Sequence, residues 1–108
     1  MSVITATDRS FHELTNTEFC IVDCYGTHCG PCKLLTPIFE DLARDMDNIR
    51  FMELNVEENP DITTEYKIYS IPTLLFFRNG ELVNRTVGAM DEDELCGHIA
   101  GLLYGTEA

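Results

Sequence analysis

Phe19-Cys-Ile-Val-Asp-Cys-Tyr25 is apolar almost throughout. Such a run suits a strand covered on both faces, and strands of that kind belong to parallel sheets flanked by helices. Cys29-Gly30-Pro31-Cys32 follows, and there the apolar spacing changes. Leu34, Leu35, Ile38, Phe39, Leu42, Ala43 and Met46 recur at helical intervals. Pro31 suits the first turn of that helix. Pro37, inside the pattern, predicts a kink.

The rest of the chain alternates in the same way. Val3–Ala6 reads as a short edge strand, and Asp8 as the cap of a short helix carrying Phe11 and Leu14. Ile49–Val56 reads as the next strand, and Asn59-Pro60 opens a helix running through Tyr66. Thr73–Phe77 is a strand, Asn79-Gly80 a hairpin turn, and Glu81–Val87 the returning strand. Asp91 and Glu94 form a capping box for a last helix with Leu95, Ile99 and Leu102 on its inner stripe. The order predicts an α/β fold. Its central mixed sheet has about five strands and is flanked by about four helices. No linker or repeat divides the chain, so residues 1–108 are read as one domain.

Hydrophobic residues make up 44% of the chain, which fits a globular core. The net charge of -12 opposes binding to nucleic acid or anionic membranes. The N-terminus shows no charged start followed by an apolar stretch, and no run approaches the ~20 apolar residues of a membrane span. A cytoplasmic location is expected.

The five cysteines are an odd number, which fits a reactive pair plus buried thiols better than a disulfide framework. Cys20 and Cys24 share the apolar strand. Four strand steps separate them by ~13 Å, beyond the ~7 Å reach of a disulfide, so both are expected to be small core residues. Cys96 falls beside the inner stripe of the last helix and is expected to be partly exposed. Cys29 precedes the long helix and Cys32 lies one turn inside it. A helix N-terminus offers unpaired N–H groups and a positive dipole end, which favour a thiolate. Cys29 is therefore the expected exposed attacking sulfur and Cys32 the more buried resolving one, with Gly30 and Pro31 allowing the turn between them. Zinc is the competing reading, but a structural site needs four ligands and no second pair follows.

The segment Val22-Asp-Cys-Tyr-Gly-Thr-His-Cys-Gly-Pro-Cys-Lys33, then Pro37, Ile71-Pro72-Thr73, Asn79-Gly80 and Val87-Gly88-Ala89, resembles the thioredoxin family. The likeness runs in order and spacing from about Val3 to Tyr104. It implies a thioredoxin fold and a thiol–disulfide oxidoreductase that reduces protein disulfides. In that reading Cys29 is the nucleophile and Cys32 resolves the mixed disulfide. Asp23 matches a buried aspartate that assists proton transfer at the second cysteine, and burial alone would raise its pKa toward neutrality. A purely structural aspartate is the alternative. Pro72 matches a cis-proline facing the dithiol, beside which Ile71 offers main-chain hydrogen bonds to substrate. Without the resemblance, Pro72 reads equally as a strand-opening proline. Gly88 either keeps the substrate groove open or serves as a turn residue. The resemblance implies no cofactor beyond the redox-active Cys29–Cys32 disulfide and no metal. It implies a monomer that meets disulfide-containing proteins and thioredoxin reductase or another dithiol donor.

The chain departs from the family pattern at four positions near this site, one of them Cys24, which stands where phenylalanine is usual. His28 stands where tryptophan is usual, Tyr25 replaces a second tryptophan, and Glu53 matches a lysine near the buried aspartate. An imidazolium at His28 would stabilise the Cys29 thiolate and make the disulfide more oxidising. A tolerated surface histidine is the other reading. Glu53 raises the Asp23 pKa if it faces that residue and does nothing if it faces solvent. The rival functions are a more oxidising oxidase or isomerase of the same fold, a non-enzymatic binding module, and a dimer bridged by an iron–sulfur cluster.

Overall fold

The computed structural model describes residues 3–105. Met1 and Ser2, part of the start read as leader-free, lie outside the described residues. So does 106–108, the end of the expected 1–108 domain. The elements in order are β1 (Ile4–Thr5), α1 (Phe11–Thr15), β2 (Phe19–Tyr25), α2 (Gly30–Asp45), β3 (Arg50–Asn55), α3 (Pro60–Glu65), β4 (Thr73–Arg78), β5 (Glu81–Val87) and α4 (Glu92–Tyr104). One five-stranded sheet runs β1-β3-β2-β4-β5. The first three strands of that order are parallel, and β4 and β5 are antiparallel to their neighbours. This is the expected mixed sheet with four helices among the described residues.

Strand β2 lies at the centre, and its alternation sorts the two cores. Cys20, Val22 and Cys24 pack with Phe11 of α1 and Ile62 of α3. Ile21 packs with Leu35, Phe39 and Leu42 of α2 and with Leu95 and Ile99 of α4. Asp23, two residues after Ile21, therefore points to the α2 face. Burying each large side chain contributes roughly 1.5–3 kcal/mol, so the two helical layers hold the sheet mainly by apolar burial. Cys20 and Cys24 are free, fully buried thiols as expected. Burial pushes the Cys20 thiol up to about 12 and raises that of Cys24 as well, so neither supplies a thiolate. Cys96 is partly exposed.

Two local expectations fail. Asp8 does not cap α1, whose N-cap is Ser10, with no bond from its side chain to the helix's N–H groups. Its carboxylate instead accepts the N–H groups of Asp61 and Ile62 at 3.2 and 2.9 Å, capping α3 from a distance in sequence. Asn59 helps hold it there by accepting the Asp8 N–H at 2.8 Å. The favourable place for the charge is the open end of the neighbouring helix. Leu34, counted in the apolar stripe of α2, is exposed. Leu35 and Phe39 already fill the inward face, and Leu34 lies about 100° round the helix from Leu35.

The hairpin and the last helix follow their local chemistry. Asn79 and Gly80 have φ of 52° and 81°, the paired positive values of a tight hairpin turn. Asp91 accepts from Glu94 N–H at 2.8 Å, and Glu94 accepts from Asp91 N–H at 3.3 Å. No helix among the described residues is long and apolar enough to cross a membrane.

Candidate active site

The dithiol cysteines form a disulfide at the start of α2, with Cα atoms 5.3 Å apart. Cys29 is the N-cap of that helix, in extended conformation, and its sulfur accepts the Cys32 N–H at 3.2 Å. One orphan donor of the helix end is thus aimed at the Cys29 sulfur. Cys29, expected to be exposed, is buried in this oxidised state at 7% exposure, as is Cys32 at 3%, because the disulfide folds both sulfurs against the start of the helix. Gly30 and Pro31 are exposed in the first helical turn. A Cβ at Gly30 would meet nothing within 4 Å, so packing does not demand glycine there. His28 is exposed directly before Cys29.

The fold brings the second loop to the same place. β2 ends and β4 begins at one end of the sheet, where Cys24 pairs with Thr73. The Ile71–Pro72 bond just before Thr73 is cis, as the resemblance implies. A Cβ on Gly26 would come within 2.5 Å of Ile71 Cδ1, so that loop lies against the segment leading into the dithiol. Gly88 donates its N–H to Pro72 O at 2.8 Å. Its φ of 98° disfavours other residues, while a Cβ there would enter open space. Exposed Leu34, Tyr69 (86% exposed) and Val87 lie close in sequence to Cys32, Pro72 and Gly88.

Asp23 is buried at 4% exposure, and its Oδ1 has no hydrogen-bond partner among the described residues. Burial first, and the negative charge of Glu53 second, raise its pKa to about 7. The β2–β3 register sets Glu53 directly beside it, which decides the orientation the sequence left open. Both residues line a cavity of about 60 Å³ with Tyr25, Thr36, Phe39 and Glu40. A wider open cavity of about 510 Å³ is lined by Cys32, Lys33, Asn55 and Glu58, and it shares Tyr25, Thr36 and Glu53 with the first. Burial, then the charge of Glu53, also raises the Tyr25 phenol. Cys32 and Asp23 thus open into adjoining spaces.

A separate cavity of about 220 Å³ lies at the other end of the sheet, among Phe19, Ala43, Ile49 and Arg50. It contains no cysteine and offers no redox chemistry. Among the described residues no group of three or more His, Cys, Asp or Glu side chains is placed to hold a metal ion.

The family model described as thioredoxin matches residues 2–101. A thioredoxin of Staphylococcus haemolyticus is 38% identical over 96 residues, covering 88% of this chain and 92% of that one. A thioredoxin of Mycoplasmoides gallisepticum is 39% identical over 82 residues, covering 76% and 82%. Among solved structures, Malassezia sympodialis thioredoxin superposes with a TM-score of 0.82 at 30% identity, covering 93% of this chain and 90% of that one.

Proposed function

The chain belongs to the thioredoxin family, and on that premise we propose how its residues divide the work. It is a thiol–disulfide oxidoreductase of the protein-disulfide reductase type. Cys29 is the nucleophile. Its thiolate is favoured by the Cys32 N–H and the positive end of α2. It attacks one sulfur of a substrate disulfide, and the other sulfur leaves as a thiolate. Asp23 then takes the proton of Cys32. The Cys32 thiolate attacks Cys29 Sγ, the bond from Cys29 to substrate breaks, and the second substrate thiolate is released. Two electrons pass to the substrate, and the Cys29–Cys32 disulfide remains.

The observation that carries this reading is the disulfide at a helix N-terminus, at the same end of the sheet as the cis Ile71–Pro72 bond. Ile71 offers its main chain to an extended substrate segment, and Gly88 leaves the groove beside Pro72 uncovered. Gly30 and Pro31, both exposed, form the tight turn that joins the two cysteines. His28 supports the Cys29 thiolate and so makes the disulfide more oxidising, and Glu53 acts on Asp23, whose pKa its charge raises. Retention of both cysteines argues against a non-enzymatic binding module.

The partners we infer are disulfide-bearing proteins and a dithiol donor, with thioredoxin reductase the donor the family suggests. Residues 1–108 act as one domain, as a cytoplasmic monomer with no bound cofactor. Insulin reduction driven by a chemical dithiol tests the activity. Wild type should accelerate it and Cys29→Ser should not; equal rates would overturn the reading.

A further inference from the structure

If Asp23 is the base for Cys32, it takes and releases a proton in every cycle. Its access to solvent is narrow. The side chain is 4% exposed, and Oδ1 meets no partner among the described residues. The cavity beside it, about 60 Å³, has room for one or two waters. Glu53 faces Asp23 across the β2–β3 register and lines that cavity. It also lines the open cavity that Cys32 borders. Thr5 Oγ1 donates to Glu53 Oε1 at 3.4 Å, so the carboxylate has a partner on the β1 side too.

We propose that Glu53 carries the proton between Asp23 and solvent, so that two carboxyl groups act in series behind Cys32. This rests on Asp23 being the base. When Cys32 attacks, Asp23 is left neutral, holding the proton that was on the Cys32 sulfur. The proton passes through the small cavity to the Glu53 carboxylate, and from there to bulk water or the departing substrate thiolate. Reduction of the Cys29–Cys32 disulfide by a dithiol donor runs the same path in reverse. Only the two electrons of the disulfide exchange move.

The other charged or titratable groups around Asp23 do not span both spaces in this way. Glu40 of α2 lines only the small cavity. Cys32 and Lys33 of α2, and Glu58 before α3, line only the open one. Tyr25 borders both, but burial and the charge of Glu53 raise its phenol, so it gives up a proton less readily.

The test is single-turnover reduction of an aryl disulfide by the reduced protein from acid to alkaline pH, read with a pH-indicator dye as release of the Asp23 proton to solvent, the step that follows departure of the second thiolate. On the alkaline plateau, Glu53→Gln should be slower by roughly tenfold, below the full range of a positioned acid–base group because water still reaches the cavity. Added imidazole should restore it, and Glu53→Asp should stay near wild type. Glu53→Thr repeats the test in a strand-favouring neutral residue if the glutamine variant does not fold. A neutral variant that keeps the wild-type plateau, with only the midpoint moved, overturns the proposal: Glu53 would then act by charge alone. An Asp23→Asn plateau equal to wild type overturns the base assignment itself, and the relay with it.

Discussion

Asp23 and Glu53 are register partners on neighbouring parallel strands, and both line one small cavity behind the dithiol. The arrangement sets like charges side by side in a place with little solvent. Burial is the larger cause of the raised Asp23 pKa, and Glu53 adds to it. A carboxyl poised near neutrality is useful as a base for a thiol, and it is expensive for the fold.

That cost has a sign and a window. An unfolded aspartate ionises near ~3.9, whereas folded Asp23 keeps its proton to about 7. Between those values the folded state holds a proton the unfolded state has lost. Stability therefore falls as pH rises through the window, and the loss is complete above it. Three pKa units amount to about 4 kcal/mol, an upper figure for the gain from Asp23→Asn at alkaline pH. Urea unfolding of the oxidised protein should show that gain at pH ~9 and little of it at pH ~4. Equal gains at both would contradict the linkage.

Asp8 caps α3 through two backbone N–H groups. Asp8→Ala should lower stability by ~1–2 kcal/mol, and Asp8→Asn, which can still accept, by less. Denaturant midpoints with unchanged slopes check this. No loss in the alanine variant would return Asp8 to the role of an ordinary surface residue.

Gly88 combines a φ of 98° with open space where a side chain would project. Gly88→Ala should lose ~1–2 kcal/mol from backbone strain alone. The added methyl should also raise KM for a protein disulfide more than for a small aryl disulfide. An equal change for both substrates would mean that the groove beside Pro72 does not receive the polypeptide.

His28 precedes the nucleophile and is exposed. Replacing it with tryptophan removes a group that can carry positive charge, so the Cys29 thiolate loses support and the dithiol form is less favoured. The pair should become more reducing. Equilibration with glutathione measures it. An unchanged or higher potential in His28→Trp contradicts the tuning role.

Much of this was legible in the residues because local and global preferences agree. Phe19–Tyr25 reads as a buried strand, and it is the central one. Asp91 and Glu94 read as a capping box, and they close it. What escaped was set by partners far away in sequence. Asp8 looks like the cap of the nearest helix, and only the meeting of α1 and α3 hands its carboxylate to Ile62. The orientation of Glu53 depends on a strand register that one residue of slip would reverse. Leu34 fits a helical stripe in one dimension, yet in space it lies off the inward face that Leu35 and Phe39 fill, and it is exposed.

The central claim is that Cys29 attacks and Cys32 resolves. The direct measurement is mass spectrometry of Cys32→Ser and Cys29→Ser after each, fully reduced, meets a disulfide-bonded protein substrate. Cys32→Ser should accumulate a stable mixed disulfide mapped to Cys29, and Cys29→Ser should form none at Cys32. An adduct that forms on Cys32 instead, or that forms equally in both variants, would contradict the account.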